Sequence, residues 1–187
     1  MTIRAQLDWG TLTMREPTPE DVERYADALV LAYNDPKNAS LLGHDDEIDR
    51  EDVIDHYVDL AESGRPFMLF DGGALVGDGD LRGIDSGTAE FAFLIASPAA
   101  QGKGLGTRFA LLLATFGFRV LDLSTIFASV APQNVASLRV FEKLGFWLDD
   151  SALARSFAEV PSDRVVALDR AAFERLHSET IVAITIR

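Results

Sequence analysis

The clearest chemistry in the chain belongs to six consecutive residues, Gln101-Gly102-Lys103-Gly104-Leu105-Gly106. They follow a run expected to be a strand (89–95) and open a strongly apolar helical stretch (107–118). Glycines at a strand-to-helix junction let successive backbone N–H groups close on an anion. They do so at the positive end of a helix dipole. The expected ligand is a pyrophosphate-bearing cofactor. Two other phosphate motifs do not fit. A dinucleotide fingerprint wants Gly-x-Gly-x-x-Gly near the chain start, inside a parallel βαβ unit. Here the spacing is Gly102-x-Gly104-x-Gly106, and an antiparallel meander is expected before it. A P-loop wants Gly-Lys followed by Ser or Thr; Gly102-Lys103 is followed by glycine.

Other reactive groups are few. The 187 residues include no cysteine, which excludes disulfides, thiolate metal sites and a cysteine nucleophile. That composition suits a reducing cytosol, so a cytoplasmic setting is expected. His44, His56 and His177 are scattered, and no metal is expected. The acid-rich run 45–49 lacks the glycine and closing glutamate of a calcium loop and reads as solvated. The first ten residues have no apolar core of signal-peptide length, and the longest apolar run, 109–114, suits a buried helix rather than a membrane span. The net charge of −13 argues against nucleic-acid binding. Its distribution is uneven. Residues 98–146 carry five basic and two acidic groups, whereas 18–62 carry fourteen acidic and three basic. Solvated helix faces explain much of this; the contrast also fits an anion held in one region and a cation favoured in another.

The elements that must position the turn can be read from periodicity. Residues 11–15 form a first strand. Thr18 caps a helix with Pro19 at its first position and apolar residues Val22, Ala26 and Leu29 at helical spacing. The polar stretch 34–47 reads as loop. A second helix covers about 50–62, with Gly64 beyond its end. Two strands, 67–70 and 74–76, flank Asp71-Gly72-Gly73 as a hairpin. With 89–95 they make an antiparallel meander. After the turn and long helix come a strand (125–130), a short helix from Asn134 capped by Gly145, and late strands at 146–148 and 164–168. Residues 180–186 read as one more strand. With neither linker nor repeat, 1–187 is expected to be one α/β domain.

This order of elements, with two separate motifs, resembles the GNAT superfamily of acyl-CoA-dependent N-acyltransferases. One motif is Gln101 to Gly106 after the strand 89–95. The other is Asn134 through Phe141-Glu142-Lys143-Leu144-Gly145-Phe146. Together they cover about 88–147. The resemblance implies a mixed, mostly antiparallel central sheet with helices on both faces. It implies that backbone N–H groups of Gln101, Gly102, Lys103, Gly104, Leu105, Gly106 and Thr107 bind the pyrophosphate of acetyl-CoA, with Lys103 and Arg108 adding charge. It further implies that the strand at Phe93, Leu94 and Ile95 parts from that at 125–130. The pantetheine arm would lie in the gap, with a backbone N–H near Leu94 on the thioester carbonyl. Asn134 would hold the arm; as a plain helix cap it needs no such role.

Acetylating an amine also requires proton transfer. Glu90, on the strand leading to the turn, is the candidate base; an exposed strand glutamate is the alternative. Relatives carry a tyrosine seven residues after the asparagine as proton donor. Phe141 stands there in this chain, without a hydroxyl. Ser137, one turn earlier, is the nearest substitute, and a plain helix serine is its alternative. Tyr25, Tyr33 and Tyr57 sit at core-like positions. A water, another residue, or loss of turnover remain open. The expected function is therefore acetyl transfer to a small-molecule or peptide amine. The rival is a CoA-binding regulatory or structural protein of the same fold without turnover. Asp45 and Asp46 are either solvated or near a cationic acceptor. A homodimer through late strands is a family expectation, with 181–184 as the apolar segment needing cover; the alternative is that it packs within its own sheet.

Overall fold

The computed structural model describes residues 6–42, 46–96 and 100–187. Nine strands form one sheet. In chain order the first elements are β1 (Gln6–Trp9), β2 (Leu12–Arg15), α1 (Pro19–Tyr33), α2 (Pro36–Leu42) and α3 (Arg50–Ser63). Then come β3 (Gly64–Asp71), β4 (Ala74–Asp85), β5 (Thr88–Leu94), α4 (Leu105–Arg119), β6 (Thr125–Val130) and α5 (Val135–Leu144). The chain closes with β7 (Trp147–Leu148), α6 (Ala152–Arg155), β8 (Arg164–Asp169), α7 (Arg170–Ile181) and β9 (Thr185–Ile186). The strand order is β7-β8-β6-β5-β4-β3-β2-β1-β9. Every neighbouring pair is antiparallel except β5 with β6. This is the mixed, mostly antiparallel sheet expected from the sequence.

Helices cover both faces because the central strands alternate apolar residues to each side. In β3, Phe67 and Leu69 join the core under α4, while Met68 and Phe70 join a second cluster with Val22, Leu29, Val53 and Tyr57 of α1 and α3. The helix starts follow the capping chemistry of the sequence. Thr18 and Asp49 each form a capping box with an acid three residues on.

Several stretches differ from the sequence-based expectation: β4, expected over 74–76, runs on to Asp85, and α6 was not expected. The polar segment 34–47 contains α2, a single short helix. Asp35 accepts hydrogen bonds from the N–H groups of Lys37 and Asn38, which holds the first turn. Seven residues are too few to show helical periodicity. Residues 180–186 are not one strand. Helix α7, capped by Asp169, runs on to Ile181, and only Thr185 and Ile186 pair, with β1. Ile181 and Ile184 are buried in the main core, while Val182 between them is 80% exposed, so that segment is covered only in part by its own chain. Strand β1 was not expected at all.

The sheet parts at its centre. Strands β5 and β6 pair only at Thr88–Thr125, Ala89–Ile126 and Glu90–Phe127. Beyond these, no pair joins the two strands among the described residues. On its other edge β5 stays zipped to β4, with Asp80 opposite Ala92 and Asp78 opposite Leu94. Gly77 and Gly79 flank Asp78 here. A Cβ at Gly79 would lie 2.6 Å from the Ala92 carbonyl oxygen, and one at Gly77 would lie 2.4 Å from that of Leu94. Glycine therefore permits the close approach of β4 to β5.

Gly79→Ala is expected to destabilise the protein by about 1–3 kcal/mol, because backbone must shift to admit the methyl group. Urea unfolding measures this. A change inside about 0.5 kcal/mol would show that the two strands are not held so tightly.

Candidate active site

The gap between β5 and β6 opens into a cleft of about 530 Å³. The glycine turn stands beside it without lining it: a Cβ at Gly106 would lie 3.4 Å from the ring of Phe93, which does line the cleft. Gly102 and Gly104 have φ of +74° and +79°, and a Cβ at either would meet nothing within 4 Å. Glycine is required there by conformation, and the space beside the backbone is open. Gly104 is the N-cap of α4, and no side chain caps that helix start. The first-turn N–H groups therefore remain available to an anion. Leu105 is buried, Gly106 and Thr107 are half-buried, and Lys103 is exposed beside the turn.

Gln101 anchors the turn. Its side-chain amide donates to the Ile95 carbonyl at 3.1 Å and to Asn38 Oδ1 at 3.3 Å. Lys37 Nζ donates to Gln101 Oε1 at 3.1 Å. Helix α2 thus steadies the turn, a role invisible in its sequence. Arg108 does not turn to the anion site. It donates to the Trp9 carbonyl at 3.0 Å, with its guanidinium carbon 4.7 Å from the centre of the Trp9 ring.

Strand alternation decides which main-chain groups face the gap. The Ala96 N–H bonds the Val76 carbonyl of β4, and Leu94 pairs with Asp78 in the same register. The main-chain groups of Leu94 therefore face β4. Those of Phe93 and Ile95 face the opened side, and the Ile95 carbonyl accepts there from Gln101. On the far wall, Asn134 Oδ1 accepts the Ser137 N–H at 3.1 Å, so Asn134 caps α5. Asn134 and Ser137 both line the cleft. Phe141 is buried against Phe91, Phe93 and Phe146, with centroids 5.3, 6.1 and 4.9 Å away.

The other face of the cleft is polar. Arg82 collects three acids: Glu90 at 3.1 Å, Glu159 at 2.6 Å and Asp80 at 3.8 Å. Glu90 stands at the last β5–β6 pair, at the apex of the fork, with both oxygens turned to Arg82. Burial pushes its pKa up, opposed by Arg82. Glu90 is not among the residues lining the cleft, whereas Asp78 and Asp80 are. Asp78 is 5% exposed and Asp80 7%. Asp78 Oδ2 accepts the Tyr33 hydroxyl at 2.5 Å and the Tyr57 hydroxyl at 3.1 Å. Among the described residues, the Oδ1 atom of each aspartate has no hydrogen-bond partner; that of Asp80 lies 3.8 Å from Arg82 Nε. Burial pushes Asp78 up to about 6, against the pull of both tyrosines. It pushes Asp80 up to about 7, relieved by Arg82 and reinforced by Asp78.

Sequence reasoning missed Asp78 and Asp80. The available signal was Gly77-Asp78-Gly79-Asp80 after a hairpin: two acids two apart on a strand share one face. It placed Tyr33 and Tyr57 in the core, where they are, but not on a carboxylate. Asp46 is exposed. His44 and Asp45 lie outside the described residues. No group that could hold a metal ion occurs among the described residues. No helix among them is long and apolar enough to cross a membrane.

Residues 11–147 match the Acetyltransferase (GNAT) domain family. Spermidine N(1)-acetyltransferase of Escherichia coli (strain K12) is 39% identical over 69 residues, which is 37% of this chain and 37% of that protein. The match thus spans little more than a third of that relative's length. Among solved structures, an aminoglycoside acetyltransferase in complex with coenzyme A aligns with a TM-score of 0.71 at 24% identity, over 88% of this chain and 98% of that one. Mycobacterium smegmatis RimJ in complex with CoA-disulfide aligns with a TM-score of 0.73 at 18% identity, over 95% of each chain. These two likenesses speak to the fold.

The raised pKa of Asp80 has a consequence for stability. A carboxyl that binds its proton more tightly when folded stabilises the fold fully below its unfolded pKa. That contribution is lost as pH rises through the folded value, here about 7. Asp80→Asn removes the penalty and is expected to add on the order of 2 kcal/mol at about pH 8, with the gain vanishing near about pH 4. Thermal unfolding across that range reads it. A gain independent of pH would refute the assignment.

Proposed function

Because the chain belongs to the GNAT acetyltransferase family, we propose that it moves an acetyl group from acetyl-CoA to a primary amine, by direct attack in a ternary complex. What carries this reading is the open glycine turn at the start of α4, beside a sheet that splits between β5 and β6. The uncapped N–H groups from Gln101 to Thr107 suit a pyrophosphate, and a Cβ at Gly102 or Gly104 would fill the space that it needs. Main-chain groups of Phe93 and Ile95 suit an extended pantetheine arm, with Leu94 between them and Asn134 on the opposite wall.

Acetyl-CoA supplies an activated thioester carbonyl. A backbone N–H of Phe93 or Ile95 polarises it. An alkylamine of pKa ~10 arrives protonated at neutral pH. One nitrogen proton must pass to a carboxylate before attack, and a second must reach the departing sulfur. Glu90, at the fork, and Asp80, on the cleft wall opposite Ala92, are the candidate carboxylates. Ser137 supplies the hydroxyl on the sulfur side, acting through water in place of the tyrosine that Phe141 replaces. With no cysteine in the chain, a cysteine-borne acyl-enzyme is not part of the scheme.

The acceptor is a small or peptide amine. The relatives' names, a spermidine and an aminoglycoside acetyltransferase, support a polycationic small molecule. The acidic wall formed by Asp78, Asp80, Glu159 and Asp163 supports the same class. The reading takes 1–187 as one acyltransferase domain in a cytoplasmic setting, with no metal.

Calorimetry is expected to show micromolar binding of acetyl-CoA. Gly104→Ala forces a Cβ into a left-handed turn at a cost of about 1–2 kcal/mol, so affinity should fall roughly tenfold. Absence of binding to the unaltered chain would end this reading. Binding without acetylation of any amine would leave a CoA-binding protein. Ser137→Ala is expected to lower kcat by about tenfold or more while the KM for acetyl-CoA holds; an unchanged kcat would remove Ser137 from the proton path.

A further inference from the structure

We propose that Asp78 and Asp80 form a buried ammonium subsite, and that Asp80 is the residue that takes the proton of the acceptor amine. The proton step rests on the acetyl-transfer reading; the cation subsite does not.

Both carboxylates lie on one face of β4, two residues apart, directly opposite Leu94 and Ala92. Both are more than nine-tenths buried, and both line the cleft. Each keeps one oxygen, Oδ1, without a hydrogen-bond donor among the described residues. Buried carboxylate oxygens are costly when unpaired, and native proteins rarely leave two side by side. The group that would satisfy them must bring several N–H donors and positive charge. A primary alkylammonium, with three donors, does so. A neutral, weakly basic arylamine does not, so the subsite selects alkylamines.

The neighbouring groups divide the roles. Asp78 is fixed by Tyr33 from α1 and Tyr57 from α3, which leaves Oδ1 to accept from the ammonium. Asp80 has no such hydroxyls. Its nearest cation, Arg82, stands at 3.8 Å, beyond hydrogen-bond reach. Glu90 is a poorer base because both its oxygens already serve Arg82. Among the described residues, the remaining charged or titratable groups on this wall are His56 of α3, Glu159, which pairs with Arg82, and Asp163, which accepts from Ser129. The wall is thus acidic after its one arginine is counted.

The ammonium gives one proton to the ionised Asp80 and becomes a neutral amine. The nitrogen lone pair forms the C–N bond, and the C–S bond breaks. The second nitrogen proton ends on sulfur, and Asp80 later releases its own to solvent.

Carbon-13 titration of aspartate-labelled protein tests the subsite without any turnover. Butylammonium chloride is expected to lower the apparent pKa of Asp80 by about one unit, as a neighbouring cation should. Tetramethylammonium chloride, which has no N–H, should do so far less at equal ionic strength. Equal responses to the two salts, or none, would overturn the subsite. The proton role is read from kinetics with the alkylamine that releases CoA fastest. Asp80→Asn should lower kcat/KM by about a hundredfold or more, abolish the ascending limb of its pH profile, and leave acetyl-CoA affinity within about twofold. Glu90→Gln should cost much less. The reverse order would assign the base to Glu90. A wild type that binds no acetyl-CoA would defeat the acetyl-transfer reading alone, and the titration would still decide the subsite.

Discussion

The parting of β5 from β6 after three residue pairs is the constraint on which the rest of the site depends. These are the only parallel neighbours among the described strands, and the connection between them runs through the glycine turn and α4. Such a crossover brings the carboxyl ends of both strands to the helix start, where parallel sheets bind their ligands. The main-chain groups of Phe93 and Ile95 face the opening, and buried backbone groups need partners. An extended ligand arm lying in the gap would supply them much as another strand would. The same opening connects the two faces of the sheet. One face carries Ser137 and Asn134, the other Asp78, Asp80 and Arg82. A donor can thus approach one way and an acceptor the other.

The electrostatics follow this division. The start of α4 has no side-chain cap, so its partial positive charge is unspent. The opposite wall carries more acids than Arg82 can balance. An anion is favoured at the helix start and a cation at the acidic wall. The charge contrast in the sequence pointed the same way. Among the described residues, the cleft takes its negative character from the strand β4 and from Glu159 and Asp163 near the turn after α6.

What could be read from the sequence was local. The turn, the hairpin at Gly72-Gly73 and the caps at Thr18 and Gly145 depend on residues within a few positions of each other, and each is present as expected. The family motifs around Gln101 and Asn134 were legible for the same reason. Pairings set by distant residues were not. Helix α2 is held by Asp35 and by the buried Asn38, whose amide donates to Ala32, and no apolar period announces it. Strand β1 exists because β2 and β9 flank it. The ion pair that engages Glu90, the candidate base, was hidden because Arg82 sits on another strand and faces it only through the register. Tyr33 and Tyr57 looked like core residues because their rings are; only the fold brings both hydroxyls to one carboxylate.

The buried aspartates show why that information is spread out. A carboxylate inside a sheet is normally excluded by its desolvation cost. Here it is tolerated because the surrounding sheet is strongly held. Strand β3 is buried on both faces, and β4 is pressed against β5 through two glycines. Two hydroxyls and one shared guanidinium offset part of the cost, and the remainder appears as the raised pKa values of Asp78 and Asp80. A proton acceptor that must work near neutral pH needs such a value. The packing of β3 and β4 thus has a chemical consequence: it holds two carboxylates where water would otherwise relax them, with an affinity for protons that solvent-exposed aspartates lack. Stability given up at Asp80 and proton affinity gained there are one quantity, so a variant cannot recover the first without losing the second.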